Sequence, residues 1–410
     1  MSPHIHFHSD CSFFAGCENM LVNFSYSEKL AKHAELGFSY RYSVRYQEGL
    51  NSRINKDMPI YPLQLVDYNA VFNKSKSRFF RMIFKVLGFL LLFRLWFLFC
   101  NIIVMRSFFR SIKHVDILHV NNGGYPGANS CMAAVFAARL CGIKRIIYVV
   151  NNVAVDYQRP TRWLDYPLDR LVVRCVDQFV TGSAFAGKVL AKVLRLPQAK
   201  IRSIHNGVRL REPSESRVQF TQRLALPDDR WLIGVVAILE ERKGHAVLLG
   251  ALGLLNRRVE KMPLLLIEGA GPERSRLVEY VEHYGLKEDV LFVGEEDNVF
   301  NILNSVDLVI LPSIRNEDFP NVVIESMGLG KTVVASRLCG TPEQIDHRVN
   351  GMLVSPSDAD ELADAIEELM GNTELVGRLG RSANEKFLKE FTAEVSVGRY
   401  IQLYDELLAG

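Results

Sequence analysis

The sequence predicts an α/β fold built from two doubly wound, parallel-sheet domains that face a central cleft. Short runs of valine, isoleucine and leucine alternate with amphipathic stretches along most of the chain, which is typical of alternating strands and helices. The runs are mostly continuous, as expected of parallel strands that are buried on both faces. The alternation pauses once, over Asn206–Asp229, and then begins again, which indicates a second domain.

The predicted strands are the clearest apolar runs. They lie near Ile5–His8 and at Asp116–Val120, Arg145–Val150, Gln178–Thr181, Leu232–Val236, Leu264–Glu268, Val290–Val293, Leu308–Leu311 and Thr332–Ala335. Helical periodicity separates them, for example over Pro272–Tyr284 and Asp358–Met370. Ligands bind at the carboxyl ends of strands in sheets of this kind, so the loops that follow the strands are the expected functional sites.

The boundary between the domains is placed by turn-forming residues. Asn206-Gly207, Pro213 and Pro227 lie within the pause and favour turns over regular structure. A chain of 410 residues has the length of two domains of ordinary size. We predict an N-terminal domain over 1–207, a C-terminal domain over 208–390 and a terminal segment over 391–410.

Composition excludes several classes of protein. The formal net charge of +3 is too small to indicate a nucleic-acid partner, so none is expected. The seven cysteines form no C-x-x-C pair, which argues against a zinc site and against a disulfide framework, and favours a reducing compartment. The N-terminus carries no basic stretch followed by an apolar run, so we expect a cytoplasmic protein.

Segment 78–110 departs from globular patterning because it is unusually apolar and is flanked by basic residues. Val86–Met105 is long enough to span a bilayer, but Arg94 near its middle would cost about 2.5–3.5 kcal/mol. A spanning segment would also separate the strand near Ile5–His8 from the rest of its sheet. We therefore expect an in-plane helix or helical hairpin on an anionic membrane surface, at the inner face of the cytoplasmic membrane. The alternative is a buried helix of the N-terminal domain.

Two glutamates seven residues apart bracket a predicted loop and helix start. Glu317 lies in the loop after Leu308–Leu311, and Glu325 lies on the helix that follows Phe319-Pro320-Asn321. The free N–H groups and positive dipole end of a helix N-terminus bind diphosphates, and carboxylates on either side can accept hydrogen bonds from sugar hydroxyls. Two glutamates at a fixed spacing are common by chance, so the residues around them determine whether the pair indicates a binding site.

Those residues resemble the retaining glycosyltransferases of family four, which have the GT-B fold of two Rossmann-like domains. The resemblance is carried by PSIRNEDFPNVVIESMGLGKTVVASRLCGTPEQI from Pro312 to Ile345, by Arg242-Lys-Gly-His245, Gly269-Ala-Gly-Pro272, Phe292-Val-Gly294 with Asp297-Asn-Val299, and His205-Asn-Gly-Val208. It is specific over about Ile204–Leu369 and weaker before that.

The resemblance implies a role for each matching residue. Lys243 would neutralise the donor diphosphate with help from Arg242. Glu317 would contact the donor sugar, Glu325 would hold the ribose, and Val299 would lie near the base. Backbone groups for the sugar and phosphate would come from Phe319, Pro320 and Asn321. Gly16, in the small-residue loop after the first strand, would let the backbone approach the donor. The resemblance also implies transfer without a metal ion or other cofactor, and a C-terminal helix that crosses back onto the first domain.

Gly269 and Gly271 also begin a dinucleotide-binding fingerprint, because they follow a predicted strand and open a helix. The third glycine of that fingerprint is missing, and Arg274 stands in its place. We therefore interpret the turn as a close-approach turn that lines the donor site. An NAD-dependent oxidoreductase remains an alternative.

Two positions depart from the family pattern. The family usually has an arginine a few residues before the lysine, where this chain has Ile238, so the two-cation clamp depends on Arg242. Many relatives carry a histidine after the strand that matches Arg145–Val150, whereas this chain has Asn151 and Asn152, which can bind a sugar hydroxyl but cannot relay a proton. A catalytically inactive sugar-nucleotide-binding protein is therefore a second alternative.

The preferred hypothesis is a retaining transfer of a sugar from a UDP- or GDP-sugar to a lipid-linked or saccharide acceptor. The apolar segment 78–110 favours an amphiphilic acceptor of the kind used in cell-envelope polysaccharide biosynthesis, such as lipopolysaccharide, capsule or exopolysaccharide. The resemblance implies that the N-terminal domain, 1–207, binds the acceptor and that the C-terminal domain, 208–390, binds the nucleotide sugar. The acceptor-side candidates are Asn151 and Asn152.

Overall fold

The computed structural model describes residues 2–11, 14, 16–54, 57–67, 93–158 and 160–410. The chain divides into two compact units. The first unit comprises Met1–His205 and Ser396–Gly410, and the second comprises Asn206–Val395. The chain thus returns to the first unit at its C-terminal end.

The described residues of the first unit contain a parallel sheet in the order β3-β2-β1-β4-β5-β6-β7. Its strands are β1 (His4–Ser9), β2 (Glu35–Arg41), β3 (Ile60–Leu63), β4 (Ile117–Asn122), β5 (Arg145–Val150), β6 (Gln178–Thr181) and β7 (Ile201–Ser203). Its helices are Asn19–Tyr26, Glu28–His33, Val44–Asn51, Phe93–Ser111, Asn129–Leu140, Pro160–Trp163, Tyr166–Cys175, Ala184–Leu194 and the part of Ala393–Ala409 from Ser396 onward.

The last helix is anchored in the core of the first unit by aromatic residues. Tyr400 packs edge-to-face on Phe24 at 5.1 Å between ring centroids, and the Tyr404 hydroxyl lies 2.8 Å from Nδ1 of His119. All four side chains are buried. Burial lowers the pKa of His119 to about 3, so its imidazole is neutral at physiological pH.

Helix Phe93–Ser111 covers the described part of the apolar segment, and it has two different faces. Leu98, Met105 and Phe109 are buried against the first unit, as the core-helix alternative predicts. Trp96 and Phe99 are 60% and 54% exposed, and membrane association stays a prediction. The rest of the segment, 78–92, lies outside the described residues. Within the described part of the chain, no helix combines the length and apolarity needed to cross a bilayer.

The second unit contains another parallel sheet, in the order β10-β9-β8-β11-β12-β13. Its strands are β8 (Leu232–Val236), β9 (Leu264–Glu268), β10 (Val290–Gly294), β11 (Leu308–Leu311), β12 (Thr332–Ser336) and β13 (Met352–Val354). Its helices are Arg217–Arg223, His245–Leu255, Arg274–His283, Phe300–Ser305, Asn321–Gly328, Thr341–Gln344, Ala359–Met370 and Thr373–Glu390.

The predicted fold class, with two doubly wound parallel sheets, is confirmed, and every predicted strand is present. Four strands were not predicted from the sequence. Glu35–Arg41 mixes polar and apolar residues, Ile60–Leu63 contains Pro62 and lies at the sheet edge, and Ile201–Ser203 and Met352–Val354 have three residues each. Proline is tolerated at a sheet edge because its missing N–H is not needed there.

The strand orders locate the expected ligand sites. In each sheet the order reverses beside the first strand, between β1 and β4 in the first unit and between β8 and β11 in the second. The loops that leave the carboxyl ends of these neighbouring strands diverge to opposite faces and open a crevice. A ligand site in the second unit is therefore expected at the residues that follow β8 and β11.

Candidate functional site

The loops after β8 and β11 touch through their backbones. The Ile314 N–H donates to the Arg242 carbonyl at 2.8 Å. Gly244 has φ +71°, and a Cβ there would lie 1.8 Å from the Pro312 carbonyl oxygen. Only glycine fits this position, because it tolerates the left-handed backbone and leaves room for the other loop. This contact brings Lys243 and Glu317 to the same place.

Lys243 and Glu317 form a largely buried ion pair at this contact. The Lys243 ammonium lies 2.5 Å from Oε2 of Glu317, and the two side chains are 13% and 10% exposed. The Ser313 hydroxyl donates to the same carboxylate oxygen at 2.8 Å. Arg242 is more peripheral, because its Nη1 lies 3.8 Å from Oε2 of Glu317 while its Nε donates to Glu240 at 2.8 Å. The structure therefore places the three predicted catalytic residues in one cluster.

His245 follows this cluster and opens helix His245–Leu255. Its side chain is buried, and burial together with the charge of Lys243 lowers its pKa to about 4. The imidazole is therefore neutral at physiological pH. The positive charge of this loop comes from Lys243 and Arg242.

Helix Asn321–Gly328 begins beside the ion pair. Its N-cap is Pro320, whose side chain cannot cap the first N–H groups. Phe319 is buried, and its ring lies 5.6 Å from that of Phe391, which anchors the turn before the helix. Glu325 is half-buried one turn after Asn321, on the same face of the helix. A helix N-terminus with a cation nearby has the features of an anion site, and the two carboxylates are acceptors for hydroxyl groups.

Close backbone packing explains the two glycines of the turn after β9. A Cβ on Gly269, whose φ is +123°, would lie 2.2 Å from the Ala237 carbonyl oxygen, and one on Gly271 would lie 2.4 Å from that of Leu239. Leu239 also donates its N–H to the Ala270 carbonyl at 3.0 Å. The glycines therefore let the loops after β8 and β9 meet, which agrees with their interpretation as a close-approach turn.

Val299 lies at the start of helix Phe300–Ser305, after the loop that leaves β10. Glu268, at the end of β9, braces this loop by accepting a hydrogen bond from the Glu296 N–H at 3.1 Å. Its side chain is buried, since Glu268 is 7% exposed. Burial, with smaller contributions from the Glu295 and Glu296 charges, raises the pKa of Glu268 to about 7. The loop predicted to lie near the base therefore rests on a carboxyl group that titrates near neutrality.

We expect a Glu268→Gln variant to change how stability depends on pH. A carboxyl whose pKa is raised by folding stabilises the protonated native state, so this contribution is lost as pH rises from about 4.5 through about 7. Glutamine keeps an acceptor for the Glu296 N–H and does not ionise. The variant should match the wild type at pH 4, below the unfolded pKa, and exceed it by about 1–3 kcal/mol at pH 8.5. Urea unfolding at both pH values measures this difference, and an equal offset at both would contradict the assignment.

The predicted residues of the first unit lie in loops after its own strands. Gly16 begins a 3-10 turn, Gly16–Glu18, and is exposed. The Asn151 side-chain amide donates to Oδ1 of Asn121 at 2.8 Å and to the Asn122 carbonyl at 3.0 Å, so it fastens the end of β4 to β5. Asn152 accepts a hydrogen bond from the N–H of the next residue. A role for these asparagines toward an acceptor stays a prediction.

Sequence reasoning missed several residues that shape the site. Ser313 follows Pro312 in the quoted motif, and its position directly after a strand was the available signal. Gly244 and Glu268 also lie at strand ends or loop turns, but their importance depends on which loops touch. In the parts of the chain that the structure describes, no group of three or more histidines, cysteines or carboxylates is arranged to hold a metal ion. Metal-independent transfer stays a prediction.

Comparisons with known proteins match both halves of the chain. Residues 216–386 match the family described as glycosyl transferases group 1, and residues 72–212 match glycosyltransferase family 4. The chain is 33% identical over 144 residues to N-acetyl-alpha-D-glucosaminyl L-malate synthase of Bacillus anthracis, covering 35% of this chain and 38% of that protein. It is 30% identical over 186 residues to the lipopolysaccharide core biosynthesis glycosyltransferase LpsD of Rhizobium meliloti, covering 45% and 52%. These matches therefore span about half or less of the relatives' lengths.

Solved structures resemble the chain over nearly its whole length. A glycosyltransferase from Rickettsia africae has a TM-score of 0.77 at 18% identity, covering 99% of both chains. Anabaena HepE in complex with UDP has a TM-score of 0.75 at 16% identity, covering 99% of this chain and 100% of that one. At these identities the likeness shows the fold. The structural likeness gives the GT-B fold, and the two family matches, one in each half of the chain, show that the chain belongs to the group 1, family 4 glycosyltransferases.

Proposed function

We propose that this protein transfers a sugar from a UDP- or GDP-sugar to a lipid-linked or saccharide acceptor, with retention of the anomeric configuration. The observation that carries the proposal is the Lys243–Glu317 pair at the start of helix Asn321–Gly328. A cation, a carboxylate and the N-terminus of a helix lie there, after the carboxyl ends of β8 and β11. This combination suits a ligand with a diphosphate and a polyhydroxylated sugar.

The chemistry follows from where charge develops. The acceptor hydroxyl oxygen forms a bond to the anomeric carbon while the bond from that carbon to the diphosphate oxygen breaks. The departing diphosphate gains negative charge and takes up the acceptor's proton. Lys243, Arg242 and the helix N–H groups stabilise that charge. Glu317 accepts hydrogen bonds from the donor sugar, and Glu325 holds the ribose. We expect no metal ion to be needed, so that activity persists in excess chelator.

Cell-envelope polysaccharide assembly is the setting that we propose. The relatives include a lipopolysaccharide core biosynthesis glycosyltransferase and an exopolysaccharide phosphotransferase. The exposed aromatic face of helix Phe93–Ser111 also suits an enzyme that works at a membrane surface on a lipid-carried acceptor.

Thermal stability with added nucleotides tests the donor proposal. A ligand that binds the native state raises the melting temperature by mass action. We expect UDP or GDP, and a sugar derivative of the same nucleotide, to raise the melting temperature of the wild type. We expect NAD⁺ to leave the melting temperature unchanged. NMR of the product formed from an α-linked donor should show an α-linkage. Stabilisation by NAD⁺ alone would favour the oxidoreductase, and nucleotide-sugar binding without turnover or hydrolysis would favour the inactive binding protein.

The exposed face of helix Phe93–Ser111 allows a separate test of membrane association. Trp96, Phe99 and Ile103 lie on this face, and the exposed Arg106 and Arg110 continue it. Aromatic groups enter the interface while arginines contact anionic headgroups.

We expect a double variant, Trp96→Ser with Phe99→Ser, to bind anionic vesicles at least about tenfold more weakly in flotation, because buried aromatic area is lost. Leu388→Ser removes an equally exposed apolar residue from the second unit and should leave flotation unchanged. Equal flotation of the double variant and the wild type would refute the membrane proposal.

A further inference from the structure

Glu18 carries a fully buried carboxylate in the first unit, at the end of the 3-10 turn Gly16–Glu18. The Ser9 hydroxyl, at the end of β1, donates to its Oε1 at 2.6 Å, and the Tyr46 hydroxyl donates to the same oxygen at 2.9 Å. The side-chain amide of Asn121, near the end of β4, donates to Oε2 at 3.2 Å. Both oxygens of this carboxylate therefore accept hydrogen bonds, and the donors come from three different elements.

The carboxylate of Glu18 fixes the direction of these hydrogen bonds. A carboxylate can only accept, whereas a hydroxyl group can donate or accept. Burial, together with the charge of Glu18, raises the pKa of Tyr46 well above its ordinary value, so the Tyr46 hydroxyl stays protonated and donates. The Asn121 amide likewise turns its NH₂ group toward Glu18, which leaves the Asn121 Oδ1 on the opposite side.

Asn151 contacts that oxygen. Its side-chain NH₂ group donates to Oδ1 of Asn121 at 2.8 Å and to the Asn122 carbonyl at 3.0 Å. A backbone carbonyl also can only accept, so the chain of amides runs between a pure acceptor at each end. Reversing the Asn121 amide would set its NH₂ group against that of Asn151 and its oxygen against Glu18. Asn121 is buried, so such mismatched polar groups would be costly.

The orientation of Asn151 follows from this chain. Both N–H groups of its side chain are used by Asn121 and Asn122, so Oδ1 is the polar atom left to meet a ligand. Asn151 is half-buried and directly follows β5, at the edge of the sheet where ligands of parallel sheets bind. An oxygen acceptor there suits the hydroxyl group of a sugar, whereas the reversed amide would present a donor.

We propose that Glu18 is a positioning residue for sugar transfer, which acts through Asn121 to hold the carbonyl oxygen of Asn151 toward a sugar hydroxyl. The proposal rests on the glycosyltransferase function proposed above and adds a residue to its machinery. Glu18 itself is fully buried and does not touch the substrate. Its effect on the reaction passes through the direction of two amide groups.

Exchanging the carboxylate and the amide tests this proposal. Glu18→Gln sets an NH₂ group against that of Asn121, and Asn121→Asp sets a second carboxylate against Glu18. We expect each single variant to lower kcat/KM for sugar transfer by about tenfold, which is the value of one hydrogen bond. The double variant restores a matched donor and acceptor, so its kcat/KM should lie within about twofold of the wild type. The rise in melting temperature with UDP should be the same in all four proteins.

Two further variants separate positioning from a loss of stability. In an Asn151→Ala background, Glu18→Gln should lower kcat/KM no further, because the group that Glu18 positions is already absent. Thr181→Val removes another buried hydrogen bond of the same sheet, which Thr181 donates to the Ser183 carbonyl at 2.9 Å. This control should lower stability in urea and leave kcat/KM unchanged.

The proposal is overturned if the double variant is no more active than Glu18→Gln, or if Glu18→Gln causes its full loss in the Asn151→Ala background. Should Glu18→Gln not fold, the double variant carries the test, because it must then fold and approach wild-type activity. If the wild type transfers no sugar from any UDP- or GDP-sugar, the proposed function fails. Urea unfolding then still tests the amide chain, since the double variant should regain the stability that each single variant loses, and a double variant without that gain would refute it.

Discussion

A Lys243→Met variant is expected to lose about two to three orders of magnitude in kcat/KM for sugar transfer, because it lacks one preorganised positive charge that stabilises the developing anion. The Lys243 ammonium lies 2.5 Å from Glu317 at the start of helix Asn321–Gly328, where the departing diphosphate would be bound. Steady-state kinetics and the melting-temperature shift with UDP measure the loss.

Stability must be separated from catalysis in this experiment. Removing the lysine leaves the Glu317 carboxylate, 8% exposed, with Ser313 as its near partner and Arg242 at 3.8 Å. A double variant with Glu317→Gln removes the uncompensated charge and should recover stability without recovering activity.

An exposed lysine supplies the matched control for Lys243. Lys261→Met breaks an exposed ion pair with Asp229 in the same unit, and it should change neither kcat/KM nor stability. Wild-type kcat/KM in a stably folded Lys243→Met protein would contradict the proposed role.

A Gly244→Ala variant is expected to destabilise the second unit by about 3–5 kcal/mol, because a Cβ would collide with backbone that cannot move cheaply. The added carbon would lie 1.8 Å from the Pro312 carbonyl oxygen, at a residue with φ +71°. Relief of the clash requires the loops after β8 and β11 to separate, which would pull Lys243 away from Glu317. Donor binding should therefore fall together with stability.

Gly285 provides a matched control for the backbone strain alone. It has φ +69°, and no atom lies within 4 Å of the position of its Cβ. Gly285→Ala should therefore cost about 1–2 kcal/mol, the strain of a left-handed alanine. Denaturant unfolding of both variants isolates the steric contribution. If the two cost the same, the contact between the loops does not constrain the site.

Much of the second unit was predictable because its signals are local. Leu232–Val236 and Leu308–Leu311 contain no polar side chain, Leu264–Glu268 is apolar up to its last residue, and each is confirmed at both ends. A strand buried on both faces must be apolar throughout, so this signal is written in consecutive residues. The first unit was harder to predict, because Glu35–Arg41 pairs with β1 despite its mixed composition.

Segment 78–110 shows why a local pattern can be ambiguous. Its apolar residues predict burial, but the sequence does not show whether they are buried in the protein core or in a membrane. Of its described residues, Leu98 and Met105 pack into the first unit, while Trp96 and Phe99 remain exposed. Helical residues three or four positions apart share a face, so one helix can supply both a core face and a docking face.

The sequence alone determined the α/β class, the position of most strands and the glutamates and lysine proposed to hold a donor, because periodicity and short motifs are carried by neighbouring residues. Only the tertiary structure decided that Lys243 touches Glu317, that Gly244 must be glycine, and that Asp10, Arg41 and Arg94 line one cavity. These residues are separated by tens of positions along the chain. Those that end or follow strands meet because parallel strands deliver their carboxyl ends to the same edge of a sheet, and strand order is set by packing of the whole unit. Arg94 joins them from a helix that packs in the same unit.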